Sequence, residues 1–146
     1  MQSFPPIAEL LPHRDSAVLL DAVLEDDADS IRARTRIAAD HPYLVPGKGV
    51  PVWVGIELMA QAIAAHAGIS ARREQRPPSK GMLLGSRRFE ARAPYFKVGD
   101  ELEVRARREF GDEGGIAACV CAILCGGETL ATATLIIVEI PEEMQP

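Results

Sequence analysis

The feature that most constrains the fold is the apolar run from Val50 to Ile69, VPVWVGIELMAQAIAAHAGI. Pro51 suits the first position of a helix, and Gly68 stands where a residue in the left-handed conformation would end one. At about 1.5 Å per residue, such a helix is roughly 30 Å long, the width of a small domain. Because it is apolar on nearly every side, it must be covered on nearly every side. The run therefore predicts one central helix with a sheet curved around it.

Three polar side chains interrupt this run, namely Glu57, Gln61 and His66. A membrane is another way to cover an apolar helix, but a run interrupted in this way is marginal for a transmembrane span. Glu57 and Gln61 are four residues apart, so they lie on the same face of the helix. We therefore expect the helix in a protein core and not in a membrane, with one carboxyl group placed inside that core.

The rest of the sequence predicts strands, two before the helix and four after it. Each candidate is rich in branched residues or alternates polar and apolar side chains, and turn residues separate one from the next. The six are Ala17–Leu24, Ile31–Ile37, Gly81–Ala91, Glu101–Phe110, Ile116–Leu124 and Thr129–Ile140. This segregation predicts an α+β fold, with a curved, mostly antiparallel sheet wrapped around the long central helix. We expect a single domain over residues 1–146, with a frayed tail at 141–146.

Composition excludes several classes of function. The net charge of −5 argues against nucleic-acid binding. The first residues do not form a secretory signal, so we expect a cytoplasmic protein. The cysteines Cys119, Cys121 and Cys125 share one predicted strand, which fits buried reduced thiols better than a disulfide framework or a metal site. We expect no metal and no cofactor.

One segment is basic although the whole chain is acidic. Seven of the 16 Lys and Arg residues lie between positions 72 and 92. One interpretation is a solvated helix end, favoured by the helix dipole, followed by the exposed face of a strand. The other is a local docking surface for an acidic partner. The sequence leaves both interpretations open at this point.

Two residues can supply acid–base chemistry, Glu57 on the helix and His41 in the loop before it. A carboxyl group in apolar surroundings stays protonated more readily, because desolvation disfavours its charged form, and it then serves as a general acid. Histidine is a base near neutral pH, and N–H groups at the helix start can polarise a carbonyl group. Acid, base and N–H donors are what the loss of water from a 3-hydroxyacyl thioester requires. The alternative is that Glu57 only bonds the backbone and His41 is an ordinary loop residue.

Several motifs resemble those of one enzyme family. They are LPHR at Leu11–Arg14, a histidine before a loop rich in Pro and Gly, VGIELMAQ at Val54–Gln61 and FKVGDELEV at Phe96–Val104. Together they resemble the 3-hydroxyacyl-[acyl carrier protein] dehydratases of the hot-dog fold, and their order matches along nearly the whole chain. The run from Gly49 to Gln61 is most similar to the branch associated with aryl polyene synthesis.

The resemblance implies dehydration of a 3-hydroxyacyl thioester, carried on acyl carrier protein, to the trans-2-enoyl thioester in fatty-acid or polyene-type synthesis. Glu57 matches the family's acid, His41 is the candidate for its base, and His13 falls in a Pro-His-Arg turn to which we assign a structural role. Family sites form across a two-fold axis, so a homodimer, or a heterodimer with a related hot-dog subunit, is implied. The residues expected to bind the acyl substrate are Val52, Trp53, Val54, Ile56, Gln61, Met82, Leu84 and Phe89. The residues expected to receive the acidic carrier are Arg72, Arg73, Arg76, Arg87 and Arg88.

Two other functions stay open on the same fold. In an acyl-thioester hydrolase, Glu57 would activate water, since a fold alone does not choose the chemistry. In the second case the chain is a partner subunit with little activity alone, which binds acyl carrier protein and completes a heterodimeric dehydratase. The loop HPYLVPGKGVP, at positions 41–51, departs from the family's His-Phe-Pro pattern and favours this second case.

Overall fold

The structure is a computed structural model and describes residues 3–77, 80–111 and 115–140. The predicted frayed tail, 141–146, lies outside the described residues. The described residues form two α-helices and eight strands, with 3₁₀ turns at Asp15–Ala17 and Val52–Val54. In chain order the α-helices and strands are α1 (Ile7–Leu10), β1 (Ala22–Asp26), β2 (Ser30–Arg36), β3 (Val50–Pro51), α2 (Gly55–Arg73), β4 (Lys80–Ala91), β5 (Tyr95–Phe96), β6 (Glu101–Gly111), β7 (Ile116–Cys125) and β8 (Glu128–Ile140).

Six of the strands form one antiparallel sheet in the order β1-β2-β6-β7-β8-β4. The helix α2 lies across one face of this sheet, and the chain crosses with it from β2 to β4 at the opposite edge. The remaining strands, β3 and β5, pair with each other just before the helix. The predicted α+β architecture, with one long helix against a mostly antiparallel sheet, is confirmed.

The helix occupies a different range from the predicted Val50–Ile69. It begins later because Val50 and Pro51 pair with the strand Tyr95–Phe96 instead of joining the helix. It ends at Arg73 because Gly68 does not terminate it. A Cβ atom at Gly68 would lie 2.7 Å from the carbonyl oxygen of Leu10, so this glycine lets the N-terminal segment approach the helix backbone.

Within the part of the chain that the structure describes, one face of α2 is fully covered. The side chains of Leu58, Met59, Ala62 and Ala65 are buried against the sheet. On the opposite face the apolar residues, Ile63 among them, are only half-buried. The helix is long and apolar enough by length and composition to cross a membrane, but packing against the sheet accounts for its apolar face. The expectation of cover on nearly every side holds for the sheet side alone.

The loop before the helix contains a glycine that we expect to be important for stability. Gly49 has φ +122°, and a Cβ atom there would lie 2.1 Å from the carbonyl oxygen of Phe96. We expect Gly49→Ala to lower the free energy of unfolding by about 3 kcal/mol or more, because strained backbone and a backbone clash act together. Gly47 is the matched control, since its φ is +77° and nothing lies within 4 Å of an added Cβ. Gly47→Ala should cost only about 1 kcal/mol. Urea denaturation measures the free energy of unfolding of both variants. Equal losses would show that the close approach to Phe96 does not add to the cost at Gly49.

Candidate active site

The site centres on the carboxyl group of Glu57. The α-helix begins at Gly55, so Glu57 lies in its first turn, where the helix dipole favours negative charge. Its Oε1 atom accepts a hydrogen bond from Nε2 of Gln61 at 3.0 Å, and Nε2 of His13 lies 3.1 Å from the same oxygen. The side chain is 43% exposed in the single chain. The complete desolvation expected from an apolar helix is therefore absent within one subunit.

Gln61 is anchored by the backbone and in turn binds Glu57. It is fully buried, and its Oε1 atom accepts the backbone N–H of Leu19 at 2.9 Å. Because a backbone N–H can only donate, the amide orientation is determined and Nε2 must point away from Leu19. Nε2 donates to the carbonyl of Ala17 at 2.7 Å and to Glu57. These bonds also explain why β1 begins at Ala22 and not at the predicted Ala17, since the backbone at 17–19 binds a side chain instead of a strand.

A second prediction follows for Gln61. Replacing it by Met keeps the length of the side chain but leaves the Leu19 N–H and the Ala17 carbonyl without this partner. We expect a loss of about 2–4 kcal/mol in the free energy of unfolding, because unsatisfied buried polar groups are costly. The same replacement at the exposed Gln75 should change stability by less than about 0.5 kcal/mol. Chemical denaturation measures both, and equal losses would contradict the assignment.

The contact between His13 and Glu57 was not foreseen from the sequence. His13 lies in the turn before the first 3₁₀ helix, and its ring is largely covered, with Nδ1 buried and unpartnered among the described residues. The motif LPHR marked this residue, but nothing local in the sequence placed it beside a carboxyl group 44 positions later. The structure brings the two together because the N-terminal segment packs along α2.

His41 lies in the loop before β3 and is held by its own backbone. Its Nδ1 atom accepts the N–H of Tyr43 at 3.1 Å. Burial lowers the pKa of the imidazole, against an opposing effect of Asp40, so the neutral ring is favoured. Since Nδ1 is an acceptor here, the proton of the neutral ring lies on Nε2. The ring of His41 contacts that of Tyr43 in a tilted arrangement, and Tyr43 contacts Trp53 edge to face. Trp53 is 61% exposed.

A groove of about 950 Å³ follows the half-open face of α2. Its floor includes Ala60 and Ile63, and its walls come from the N-terminal segment, β4 and β8. Glu57 and His13 lie at one end, and Arg72 lies at the other end of the helix, roughly 22 Å away at 1.5 Å per residue. The groove thus joins an acid to a basic surface across an apolar floor, a shape that suits an elongated apolar ligand.

The residues predicted to bind the acyl substrate occupy several environments. Gln61 binds Glu57, Val54 is buried, and the N–H of Val52 donates to the carbonyl of Pro94 at 2.9 Å. The prediction of free N–H donors at the helix start therefore rests on Trp53 and Val54. The other predicted residues are half-buried or exposed in the single chain: Ile56, Phe89, Met82 and Leu84. In β4, Gly81 and Leu83 line the groove instead of Met82 and Leu84.

The arginines predicted to receive the carrier differ in their ion-pair partners and in their exposure. Arg73 lies 3.0 Å from Asp26, whose side chain is buried and also bonds His66 at 2.6 Å. Arg72 and Arg76 line the groove, and their ion-pair partners among the described residues, Glu9 and Glu74, are exposed. Two further arginines in β4, Arg87 and Arg88, are both exposed. Simple alternation would turn one of them inward, but the strand is irregular at this point and Arg88 has φ +56°.

The three cysteines are free thiols, with Cys119 and Cys121 buried and Cys125 half-buried. Burial raises the pKa of each thiol, so little reactive thiolate forms near neutral pH. Within residues 3–77, 80–111 and 115–140, no three His, Cys, Asp or Glu side chains are grouped to hold a metal ion.

One long helix packed against a large antiparallel sheet defines a single hot-dog fold. Several solved structures have a similar fold. The dehydratase heterocomplex ApeI:P from Xenorhabdus doucetiae matches with a TM-score of 0.91 and 27% identity, over 97% of this chain and 95% of that one. A hypothetical thioesterase with coenzyme A from Streptococcus pneumoniae matches at 0.64 and 13%, over 81% and 84%. The PaaI protein of Escherichia coli matches at 0.62 and 12%, over 80% and 81%. The last two show the fold alone.

The family is shown by the sequence itself. The ApeP-like model, described as ApeP dehydratase, matches residues 5–146. The chain therefore belongs to this family of dehydratases. Comparison with curated protein sequences finds no match.

Proposed function

We propose that this dehydratase removes water from a 3-hydroxyacyl thioester to give the trans-2-enoyl thioester, with Glu57 as the acid. The observation that carries the proposal is the carboxyl group of Glu57 at the end of an apolar groove, where its Oε1 atom accepts a bond from Gln61 and lies 3.1 Å from Nε2 of His13. A base takes the α-proton, the carbon–carbon double bond forms, and the C–O bond breaks. The hydroxyl group leaves as water with the proton that Glu57 supplies.

The proposed base is a histidine from a paired subunit, and His41 is the equivalent histidine that this chain presents to its partner. Within one chain Glu57 contacts His13 and not His41 among the ion pairs and hydrogen bonds of the described residues. His41 is instead part of an aromatic surface that ends at the exposed Trp53. For Nε2 of His41 to accept a proton, the bond from the Tyr43 N–H to Nδ1 must first open.

We propose that the partner is a related hot-dog subunit, bound at the free edge of β4. Among the described residues this strand pairs with β8 alone, and Met82, Leu83 and Leu84 are 52%, 40% and 55% exposed. An edge strand with unpaired backbone groups and apolar side chains is a template for another strand. The similarity to a dehydratase heterocomplex supports a different but related chain as the partner.

The test is an assay of the chain together with its related hot-dog subunit. The complex is incubated with a 3-hydroxyacyl thioester, and mass spectrometry follows the loss of water while a thiol reagent follows hydrolysis. We expect the enoyl thioester without free thiol. Release of thiol without enoyl product would instead establish the hydrolase function, and neither product would contradict the proposal.

We further propose acyl carrier protein as the carrier of the substrate, received by Arg72 and Arg76 at the groove. Acyl carrier proteins are acidic, so a protein of net charge −5 needs a local positive surface to receive one. Arg73 is less suitable because its pairing with the buried Asp26 supports the fold.

Reversal of charge at Arg72 tests this docking. We expect Arg72→Glu to raise KM about five- to tenfold for carrier-bound substrate at low salt, since electrostatic steering is lost. The KM for the coenzyme A thioester should change by less than about twofold, and the difference should shrink as salt is added. Arg92→Glu, at an exposed arginine outside the groove, is the control of equal charge. An equal rise in KM for both substrates would contradict the docking of the carrier at Arg72.

A further inference from the structure

Two nitrogen atoms lie close to a single oxygen of Glu57. Gln61 donates through Nε2 at 3.0 Å, and Nε2 of His13 lies 3.1 Å from the same Oε1. The amide of Gln61 cannot be reversed, because its own Oε1 already accepts the N–H of Leu19. Oε1 of Glu57 is therefore an acceptor in every protonation state of the site, and a proton carried by Glu57 lies on Oε2.

The ring of His13 has a determined tautomer as well. Its Nδ1 atom is buried and has no hydrogen-bond partner among the described residues. A proton on Nδ1 would be a buried donor without an acceptor, which is costly. Nε2 instead lies 3.1 Å from Oε1 of Glu57, so a proton there has an acceptor within reach. Of the two neutral tautomers, the one with the proton on Nε2 is thus the one that the surroundings favour.

We propose that His13 is a positioning residue for the acid: its Nε2–H, together with Gln61, holds Oε1 of Glu57 so that Oε2 alone delivers the proton to the leaving hydroxyl group. The consequence for turnover rests on the proposed dehydration. In that step the proton passes from Oε2 to the hydroxyl oxygen, the C–O bond breaks and water leaves. The base holds the α-proton, and Glu57 is left as a carboxylate with two donors on its other oxygen. His13 itself transfers no proton.

Three replacements of His13 separate positioning from proton transfer. The amide nitrogen of Gln can occupy the place of Nε2, whereas that of Asn occupies the place of Nδ1. We expect His13→Ala and His13→Asn to lower kcat of the complex by about 10- to 100-fold with little change in KM, because the acid is misplaced in the transition state. His13→Gln should restore most of kcat. If His13→Gln is as slow as His13→Ala, His13 acts as an acid or base and the positioning role is wrong. If His13→Ala keeps wild-type kcat, the contact has no function.

A second readout needs no substrate. Nitrogen-15 NMR of the wild-type ring should show Nε2 protonated, with an Nε2–H signal shifted downfield and protected from exchange. Glu57→Ala should abolish that protection, while the ring of His66, which pairs with Asp26, should not respond. A ring protonated on Nδ1, or protection that survives Glu57→Ala, would overturn the proposal. If the wild-type complex fails to dehydrate but the NMR result holds, the proposed function fails and the positioning of Glu57 by His13 stands.

Discussion

Replacing Glu57 by Gln is expected to lower the kcat of dehydration by at least about 100-fold, the usual contribution of a general acid. Gln has nearly the same shape, and its carbonyl oxygen can accept the bond from Gln61 and face Nε2 of His13 as Oε1 of Glu57 does now. It has no proton to give to the leaving hydroxyl group. The fold and the association with the related subunit should therefore survive, and only turnover should fall. The rate of enoyl thioester formation by the purified complex measures the effect.

The control is the same change at an exposed carboxylate outside this site. Glu109, in β6, pairs with Arg107 at the surface, and Glu109→Gln should keep kcat within about twofold, as surface changes away from such features usually do. Thermal unfolding of both variants shows whether either change affects the fold. Full activity in Glu57→Gln would remove Glu57 from the role of acid.

Omitting the related subunit is expected to have an effect of similar size. Within one chain the carboxyl group of Glu57 has His13 and Gln61 as neighbours, and His41 holds its own loop through the Tyr43 N–H. Among the contacts of the described residues, Glu57 of a single chain therefore has no proposed base beside it, because that base comes from the partner. We expect the isolated chain to dehydrate at least about 100-fold more slowly than the complex at equal concentrations, since removing a positioned base costs this much.

High activity in the isolated chain would instead indicate sites formed between two copies of it. His41→Ala and Glu57→Gln would then each be inactive alone. Mixed with subunit exchange they should recover about a quarter of wild-type activity, because half of the randomly formed dimers hold one intact site of two. No recovery on mixing would exclude a site shared across the two-fold axis.

The sequence predicted what depends on local patterns. Alternation of side chains gave six strands, and the long apolar run gave the central helix and the place of Glu57 on it. The helix ends were wrong because they depend on partners distant in the chain. Gly68 has the properties of a helix terminator, but its role is to admit the carbonyl of Leu10, which no local pattern reveals.

The same limit explains the errors around the acid. The first strand begins late because the N–H of Leu19 binds Gln61, 42 positions away. His13 contacts Glu57, which lies 44 positions later in the chain. The motif LPHR therefore marked His13 as a residue of interest but did not indicate its partner. Burial of Glu57 was overestimated for a related reason. Apolar composition shows that a helix must be covered, but not whether its own chain or another supplies the cover.

The exposed edge of β4 also has a consequence for how cells make this protein. Until it is capped, a newly folded chain displays Met82, Leu83 and Leu84 along a strand edge that no other described strand covers, which is the kind of surface through which proteins aggregate. If the cap is a different polypeptide, an excess of this chain over its partner has nothing to bind except itself. Synthesis in matched amounts then serves solubility as much as catalysis. Expression of the chain with its partner should raise the soluble yield even when the partner carries an inactivated site.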